Sequence, residues 1–600
     1  MAIQKIRMAL LAAGLAAAWP ALADTWLIRD VRVFDGERVH ARRSVLLEDG
    51  KIRDADFKGK PPAAAKVVEG KGRTLLPGLI DSHVHAYRHL DLPLLFGVTT
   101  QVDMFTAVPL MREVSERMAK GENQGQADLF SAGTLATVPG GHGTEYGMPI
   151  PTLTKPEEAQ AWVDARLAEG SYFIKIVMEP GSATRKIPSL DLPTVKALIE
   201  AAHRRGKLAV VHIGNLDDAR AALEAGADGL VHLFDGAAIA AADLEAFVRL
   251  ARERKAFIVP TFSVLESIAG LREDDVLADA SLTALLKKEQ LLALQGTYGK
   301  TPKPDEMTAP KAVTAALYRA GVPLLAGTDA GNTGTQYGVS LHHELHALVQ
   351  AGLTPQAALA AATSVPAQAF RLPQRGRIAN GYKADLLLVE GDPTRDIQAT
   401  RRIVEVWKDG APASALRKAQ QEKVALEASG KVGGEAVALP ADGRISLFGK
   451  DKLASPFGAG WMPSTDRFLG GKSRVQLQHQ EGDAVRVNAS VVPGFAYPWA
   501  GLAFMTGAQP GQAANLSAAK VLRFRVRGDG KSYGVSLLAE GVQIPVNRGF
   551  TAAAEWQEVS MNLADFKGID ARLLTMIAFN AGPVPGDYQF EIADVRLLDK

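Results

Sequence analysis

His83 and His85 stand two residues apart at the end of an apolar run, so on a strand both imidazoles share one face and could grip a single metal ion. Similar placements recur along the chain. Lys175 lies in a later apolar run, His212 and His232 close two more, and Asp329 closes another. Imidazole and carboxylate ligands suit zinc, manganese or iron, and a divalent ion held by them can activate water at neutral pH. The chain has no cysteine, which excludes thiolate ligands, a thiol nucleophile and disulfides. A lone histidine in such a run is more often structural, but four histidines and an aspartate at successive run ends point to a metal-dependent active site.

The elements that must position these residues lie between about 74 and 372. Eight short apolar runs occur there: Leu75–His85, Gly97–Met104, Ala127–Ala136, Ser171–Met178, Leu208–Ile213, Gly229–Leu233, Phe257–Phe262 and Pro323–Asp329. Helix-like stretches such as Leu192–Arg205, Asp217–Ala225 and Asp243–Arg254 separate them. Eightfold strand–helix alternation predicts an α/β fold, a (β/α)₈ TIM barrel, which brings the ends of its strands to one mouth. An open doubly wound sheet could share the alternation. Short β segments at 24–73 and 373–412 flank this region, so the barrel is expected to be inserted in a small β-sandwich. Residues 413–444 read as a helix and linker, and 445–600 as a C-terminal all-β, jelly-roll-like sandwich with strands around Leu522–Arg527, Trp556–Met561 and Tyr588–Leu598.

The 600 residues exceed one domain, and a formal charge of +2 gives no reason to expect a nucleic-acid partner. Lys5 and Arg7, the apolar run Met8–Ala18 and Ala21-Leu22-Ala23 have the order of a signal peptide, residues 1–23, cleaved after Ala23. The run is too short to span a bilayer, so the mature protein is expected to be periplasmic or secreted and not membrane-embedded. Nothing in the sequence sets an oligomeric state.

Pro77-Gly78-Leu79-Ile80-Asp81-Ser82-His83-Val84-His85 resembles the opening motif of the amidohydrolase superfamily. Phe173-Ile174-Lys175-Ile176, Val211-His212, Val231-His232, Ala326-Gly327-Thr328-Asp329-Ala330 and Gly381-Tyr382-Lys383-Ala384-Asp385-Leu386 resemble its imidazolonepropionase-like and prolidase-like branch, over about 24–412. The resemblance implies two divalent metal ions, zinc or else manganese or iron. His83, His85, Lys175 and Asp329 would hold one, and Lys175, His212 and His232 the other. Lys175 would then be N-carboxylated and bridging. That requires a neutral amine, which burial among Phe173, Ile174 and Ile176 would favour. The alternative is an ordinary ion-paired Lys175 beside a single ion. The implied reaction is attack by metal-bound hydroxide, its pKa lowered toward about 7, with Asp329 as general base and then acid. The C–N bond would belong to a dipeptide or an N-acyl amino acid. A lactonase or phosphotriesterase on the same ions is an alternative, as is a non-catalytic scaffold acting through the C-terminal sandwich.

His142, in Pro139-Gly140-Gly141-His142-Gly143, reads equally as a substrate contact or a solvated loop residue, and Tyr87 and Tyr146 are further substrate-binding candidates. His342-His343-Glu344-Leu345-His346 lacks the spacing of a zinc-protease helix and reads as helix packing and surface. His89 and His203 read as non-catalytic, and Gly470-Gly471 is not a phosphate loop. The C-terminal region resembles, less specifically, the galactose-binding-like sandwich of complex I intermediate-associated proteins, through Thr465–Ser473 and Arg527–Tyr533. There Trp461, Tyr497 and Trp499 could line a surface for a carbohydrate or protein partner, although such aromatics are more often core.

Overall fold

The computed structural model describes residues 24–600 except 88–89, 146–149, 182–185, 235, 430–432, 450–451, 470, 494–496, 541 and 543–544. The expected signal peptide, His89, Tyr146 and Gly470 lie outside the described residues. The chain forms two compact units, one of residues up to 142, 152–286 and 290–421, the other of 143–151, 287–289 and 422–600.

Five strands open the first unit: β1 (Trp26–Phe34), β2 (Val39–Glu48), β3 (Lys51–Asp54), β4 (Lys66–Glu69) and β5 (Arg73–Pro77). Seven parallel strands follow: β6 (Leu79–Val84), β7 (Val98–Asp103), β8 (Asp128–Ser131), β9 (Ile174–Met178), β10 (Ala209–Ile213), β11 (Gly229–Val231) and β12 (Phe257–Val259). β13 (Leu386–Glu390), β14 (Ile403–Lys408) and β15 (Ala411–Pro412) then join β1–β5 in one eight-stranded sheet. The first apolar run is therefore divided. β5 pairs with β13 and β1, while β6 belongs to the parallel set. The division falls at Gly78, where a Cβ would lie 2.2 Å from Thr99 Oγ1, closer than any side chain tolerates.

The parallel set closes on itself. Ala136 bridges β8 to β9, and the Pro323–Ala330 segment bonds to β12 through Ile258 and to β6 through Ser82 and His85. This last member makes ladder bonds without forming a regular strand. Alternation along the strands sorts their side chains. Ile174, Ile176, Val211, Leu230 and Ile258 pack with helix residues Val195, Leu198 and Phe247, whereas Phe173, Val210, Val231, Phe257, Val259 and Leu325 form a separate core. Lys175 and His212 follow Phe173 and Val210 by two, so they share the face of that second core. Helix Leu192–Arg204 begins at Asp191, which caps Thr194 N, and helix Leu216–Glu224 at Asn215, which caps Asp218 N. The result is a TIM-barrel-like α/β domain with its strand ends converging.

In the second unit, the described residues of 445–600 are all-β apart from short 3₁₀ turns. Its strands are β16 (Leu447–Gly449), β17 (Lys452–Ala454), β18 (Gly460–Thr465), β19 (Arg474–Gln480), β20 (Ala484–Val491) and β21 (Ala500–Met505). β22 (Val521–Gly528), β23 (Ser532–Ala539), β24 (Val546–Thr551), β25 (Gln557–Asn562), β26 (Leu574–Ala581) and β27 (Gly586–Leu598) complete it. Two five-stranded antiparallel sheets, ordered β18-β21-β26-β23-β24 and β19-β20-β27-β22-β25, bury one shared core that includes Trp461, Phe504, Phe524 and Phe579. Among the described residues no helix is long and apolar enough to cross a membrane.

At the N-terminal end of the parallel strands, Lys408 is fully buried, with its amine 3.0 Å from Asp128, 3.3 Å from Asp385 and 2.7 Å from Asp409. Asp128 also meets Arg375 and Lys383. These pairs tie β8 to β14 and to the start of β13. Lys408→Met should lower stability to urea by about 3–5 kcal/mol, since it leaves buried carboxylates short of a partner. A loss under about 1 kcal/mol would mean that Arg375 and Lys383 neutralise Asp128 unaided.

Candidate active site

His83 is the penultimate residue of β6, His85 follows the strand directly, and Asp329 lies near the end of the Pro323–Ala330 segment beside them. Asp329 Oδ1 lies 3.2 Å from His83 Nε2 and 3.0 Å from His85 Nε2. All three residues are buried. His232, at the end of β11, places Nε2 3.9 Å from Asp329 Oδ2, and its ring lies 4.7 Å from that of His83 and 4.5 Å from that of His212. Its Nδ1 shares a hydrogen bond of 2.8 Å with Thr261 Oγ1. His232, Thr261 and Asp329 have left-handed backbones, with φ of 70°, 55° and 58°. Such conformations cost non-glycine residues about 1–3 kcal/mol and gather at functional sites.

A second group lies alongside. Glu179 Oε2, just past β9, is 3.2 Å from His142 Nδ1 and 3.3 Å from His212 Nε2. The two imidazole rings stand 5.0 Å apart. The structure thus places His142 beside His212, at the carboxylate of Glu179, a residue that belongs to no sequence motif. Lys175 is only 2% exposed on β9, and burial pulls its pKa down to about 7 against the attraction of Asp329, Asp103 and Glu179. Burial likewise lowers His83 to about 4 and holds His212 and His232 well below their ordinary value, which leaves neutral imidazoles able to ligate. Burial alone would raise Asp329, but His83 and His85 outweigh it and keep the carboxyl well below its usual range.

Three supports hold this arrangement. Asp81 accepts from Thr328 Oγ1 at 2.7 Å, Thr328 N at 3.1 Å and His83 N at 3.3 Å. Gly327 lets the last segment approach β6, where a Cβ would sit 2.9 Å from His83 N. Asp103, ending β7, accepts from Ala86 N at 2.7 Å and from Ser131 Oγ at 2.5 Å. Asp103 obeys the same strand-end rule that singled out His212. Asp81 sits inside the first motif. Glu179 had the weakest signal, because it lies beyond the strand where no periodicity applies.

Tyr87 stacks on His85, with ring centres 6.0 Å apart and planes 10° from parallel. His203 pairs with Asp228 at 2.8 Å on the helix surface, away from these residues. In the second unit Trp461 is core, packed on Phe448, Phe504 and Phe579, while Trp499 bonds Ser464 and Tyr497 is exposed. A groove of about 630 Å³ lies over β19, β20 and β27, lined by polar groups such as Arg474, Gln476, Asn488 and Asp529, with Tyr588.

Fold and site together define a TIM-barrel-like protein with a candidate metal centre at its strand ends. Residues 94–421 match the amidohydrolase family, and the chain belongs to it. Residues 449–575 match the complex I intermediate-associated protein 30 family. An ochratoxinase of Aspergillus niger is 26% identical over 332 residues, which are 49% of this chain and 62% of that protein. An imidazolonepropionase of Cereibacter sphaeroides is 27% identical over 404 residues, 61% of this chain and 92% of that protein. A solved putative prolidase from Bifidobacterium longum superposes with a TM-score of 0.53 at 22% identity, over 67% of this chain and all of its own, which supports the fold. The residues suit the divalent metal general to this family. Both nitrogens of His83, His85 Nδ1 and Asp329 Oδ1 are buried without a hydrogen bond, although acceptor and imidazoles nearly touch. An ion among them would satisfy several of these atoms at once.

The histidines of helix Val339–Gln350 are packing residues, and two of them lie inside rather than on the surface. His342 bonds Phe96 O and Thr400 Oγ1, each at 3.0 Å. His343 lies 2.7 Å from Glu266 and 2.6 Å from Asp275, with Glu273 and Arg401 close by. Burial would lower this imidazole, but Asp275 and Glu266 outweigh it and hold its pKa well above 6.5. A pKa raised by folding gives stability that is complete below the unfolded value and lost as pH rises through the folded one. His343→Gln should therefore destabilise most near pH 6, and the gap from wild type should narrow in alkaline solution. A gap constant from pH 6 to 10 would show that the charged imidazole adds nothing.

Proposed function

We propose that the protein is a metal-dependent hydrolase that cleaves the C–N bond of a dipeptide or an N-acyl amino acid. One observation carries this reading. His83, His85 and Asp329 present ligand atoms within 4.8 Å of one another, buried at the ends of parallel strands. Family membership and the ochratoxinase and imidazolonepropionase relatives support C–N rather than ester cleavage. A divalent cation at this site supplies a Lewis acid that polarises the substrate carbonyl and lowers the pKa of water.

The chain's own residues do the rest. His83, His85 and Asp329 would hold the cation, with zinc the first choice and manganese or iron the alternatives. Asp329 stays ionised at neutral pH, so Oδ2, the oxygen turned away from His83 and His85, can accept the proton of the attacking water and return it to the leaving nitrogen. Lys175, His212 and His232 would hold a second cation, with Lys175 N-carboxylated. Burial that brings the Lys175 amine to about 7 supplies the neutral nitrogen that reaction with carbon dioxide needs. Tyr87, stacked on His85, offers a wall for the substrate. The charged, apolar and small residues that open the chain support export to the periplasm.

Asp329→Asn should fold normally and lose about 10²–10⁴-fold in kcat, and retention of more than about a tenth of the wild-type rate would remove Asp329 from the proton path. Metal-loaded enzyme offered dipeptides, N-acyl amino acids, an ester and a lactone should cleave amides, and cleavage of the ester and lactone alone would overturn the amide reading. Carbon NMR after equilibration with labelled bicarbonate should show one carbamate signal that Lys175→Ala abolishes. A spectrum unchanged by that substitution would leave Lys175 a plain amine.

A further inference from the structure

The group formed by His142, Glu179 and His212 has the same internal spacing as the group formed by His83, His85 and Asp329. Two donors that share one ion at about 2.0–2.2 Å each lie about 3.0–3.4 Å from one another in tetrahedral or octahedral geometry. The first group shows 3.2 and 3.0 Å between Asp329 Oδ1 and its two imidazoles. The second shows 3.2 and 3.3 Å between Glu179 Oε2 and its two. In both, one carboxylate oxygen faces two imidazole nitrogens, and all three ligand atoms fall within 4.8 Å.

The loops that carry the new residues are held in place. Glu179 N donates to Ser189 Oγ at 2.9 Å. Gly141 packs so tightly that a Cβ would meet Thr137 Oγ1 at 2.5 Å and Pro188 O at 2.8 Å, and its N–H donates to Val138 O. The loop with His142 is therefore seated against the segment that anchors Glu179, and the two side chains meet by construction. Positioning of this kind keeps a site within the tolerance that ligation requires.

We propose that His142 and Glu179 are additional ligands of the second cation, which they would share with His212, His232 and Lys175 around the common imidazole of His212. The inference rests on the metal-dependent reading of the strand-end site. It reassigns His142 from substrate contact to metal ligand and gives the second ion a carboxylate from the chain itself, in addition to any carbamate on Lys175. A mixed imidazole–carboxylate set takes zinc or manganese in preference to a soft monovalent ion.

Equilibrium dialysis against zinc, with metal analysis of the protein, tests the assignment without reference to turnover. Wild type should bind two equivalents. Glu179→Gln and His142→Asn should each weaken the second at least about tenfold and leave the first unchanged, while His83→Asn should do the reverse. Thermal melting in chelator should show all three variants folded. Two equivalents of unchanged affinity in Glu179→Gln would overturn the inference and leave the group a hydrogen-bonded pair of histidines on an acid. One equivalent in wild type, unaffected by either outer substitution, would overturn it too, while sparing hydrolysis by one ion. No bound zinc in wild type would remove the metal-dependent reading itself.

Discussion

The buried carboxylate of Asp81 joins the first and last members of the parallel ring, and the site depends on that join. It accepts from the backbone of His83 on one side and from Thr328 backbone and hydroxyl on the other. Three donors converge on a side chain that, when ionised, can only accept. Burial pushes Asp81 up to about 7, so the three bonds work against a large desolvation cost. Their effect is geometric. They fix the neighbours of Thr328 and His83, and so set Asp329 against the two imidazoles of β6. A ring closed elsewhere would keep its core and lose this constellation.

Burial also decides which chemical forms the site contains. Lys175 lies in the field of Asp329, Asp103 and Glu179, all of which would keep it charged, yet desolvation wins and its pKa falls to about 7. His83, His212 and His232 shift the same way and stay neutral. Asp329 alone shifts toward its charged form, with Oδ1 facing the imidazole nitrogens of His83 and His85 at 3.2 and 3.0 Å. The same low-polarity surroundings thus yield neutral nitrogen donors and an ionised carboxylate, which is the combination a divalent cation requires.

Much of this was legible in the residues. Apolar runs marked the parallel strands, and ionisable residues at their ends marked the site, because strand direction delivers them to one mouth. Legibility failed where period stops. Glu179 lies past the end of β9, and only the folded chain brings it to His142 and His212. The break at Gly78 was hidden because β5 and β6 are both apolar and differ only in their partners. Trp461 was ambiguous since an aromatic on a sandwich strand looks alike whether it faces the core or solvent. The burial of His342 and His343 is invisible along their helix, because their partners Thr400, Glu266 and Asp275 are 58 to 77 residues away along the chain.

The first unit separates its strain from its support. At the C-terminal end of the strands stand three left-handed non-glycine residues and several buried polar atoms without hydrogen bonds. At the N-terminal end stands the network around Lys408, in which Asp128, Asp385 and Asp409 surround one buried amine. Desolvated charge is tolerable there because each group finds several partners, whereas at the site it is tolerable only if something else completes the set. A ligand that binds the folded chain and not the unfolded one adds stability by mass action. Binding at the strand ends would therefore relieve the least satisfied part of the fold, so occupancy of the site and integrity of the barrel are thermodynamically linked.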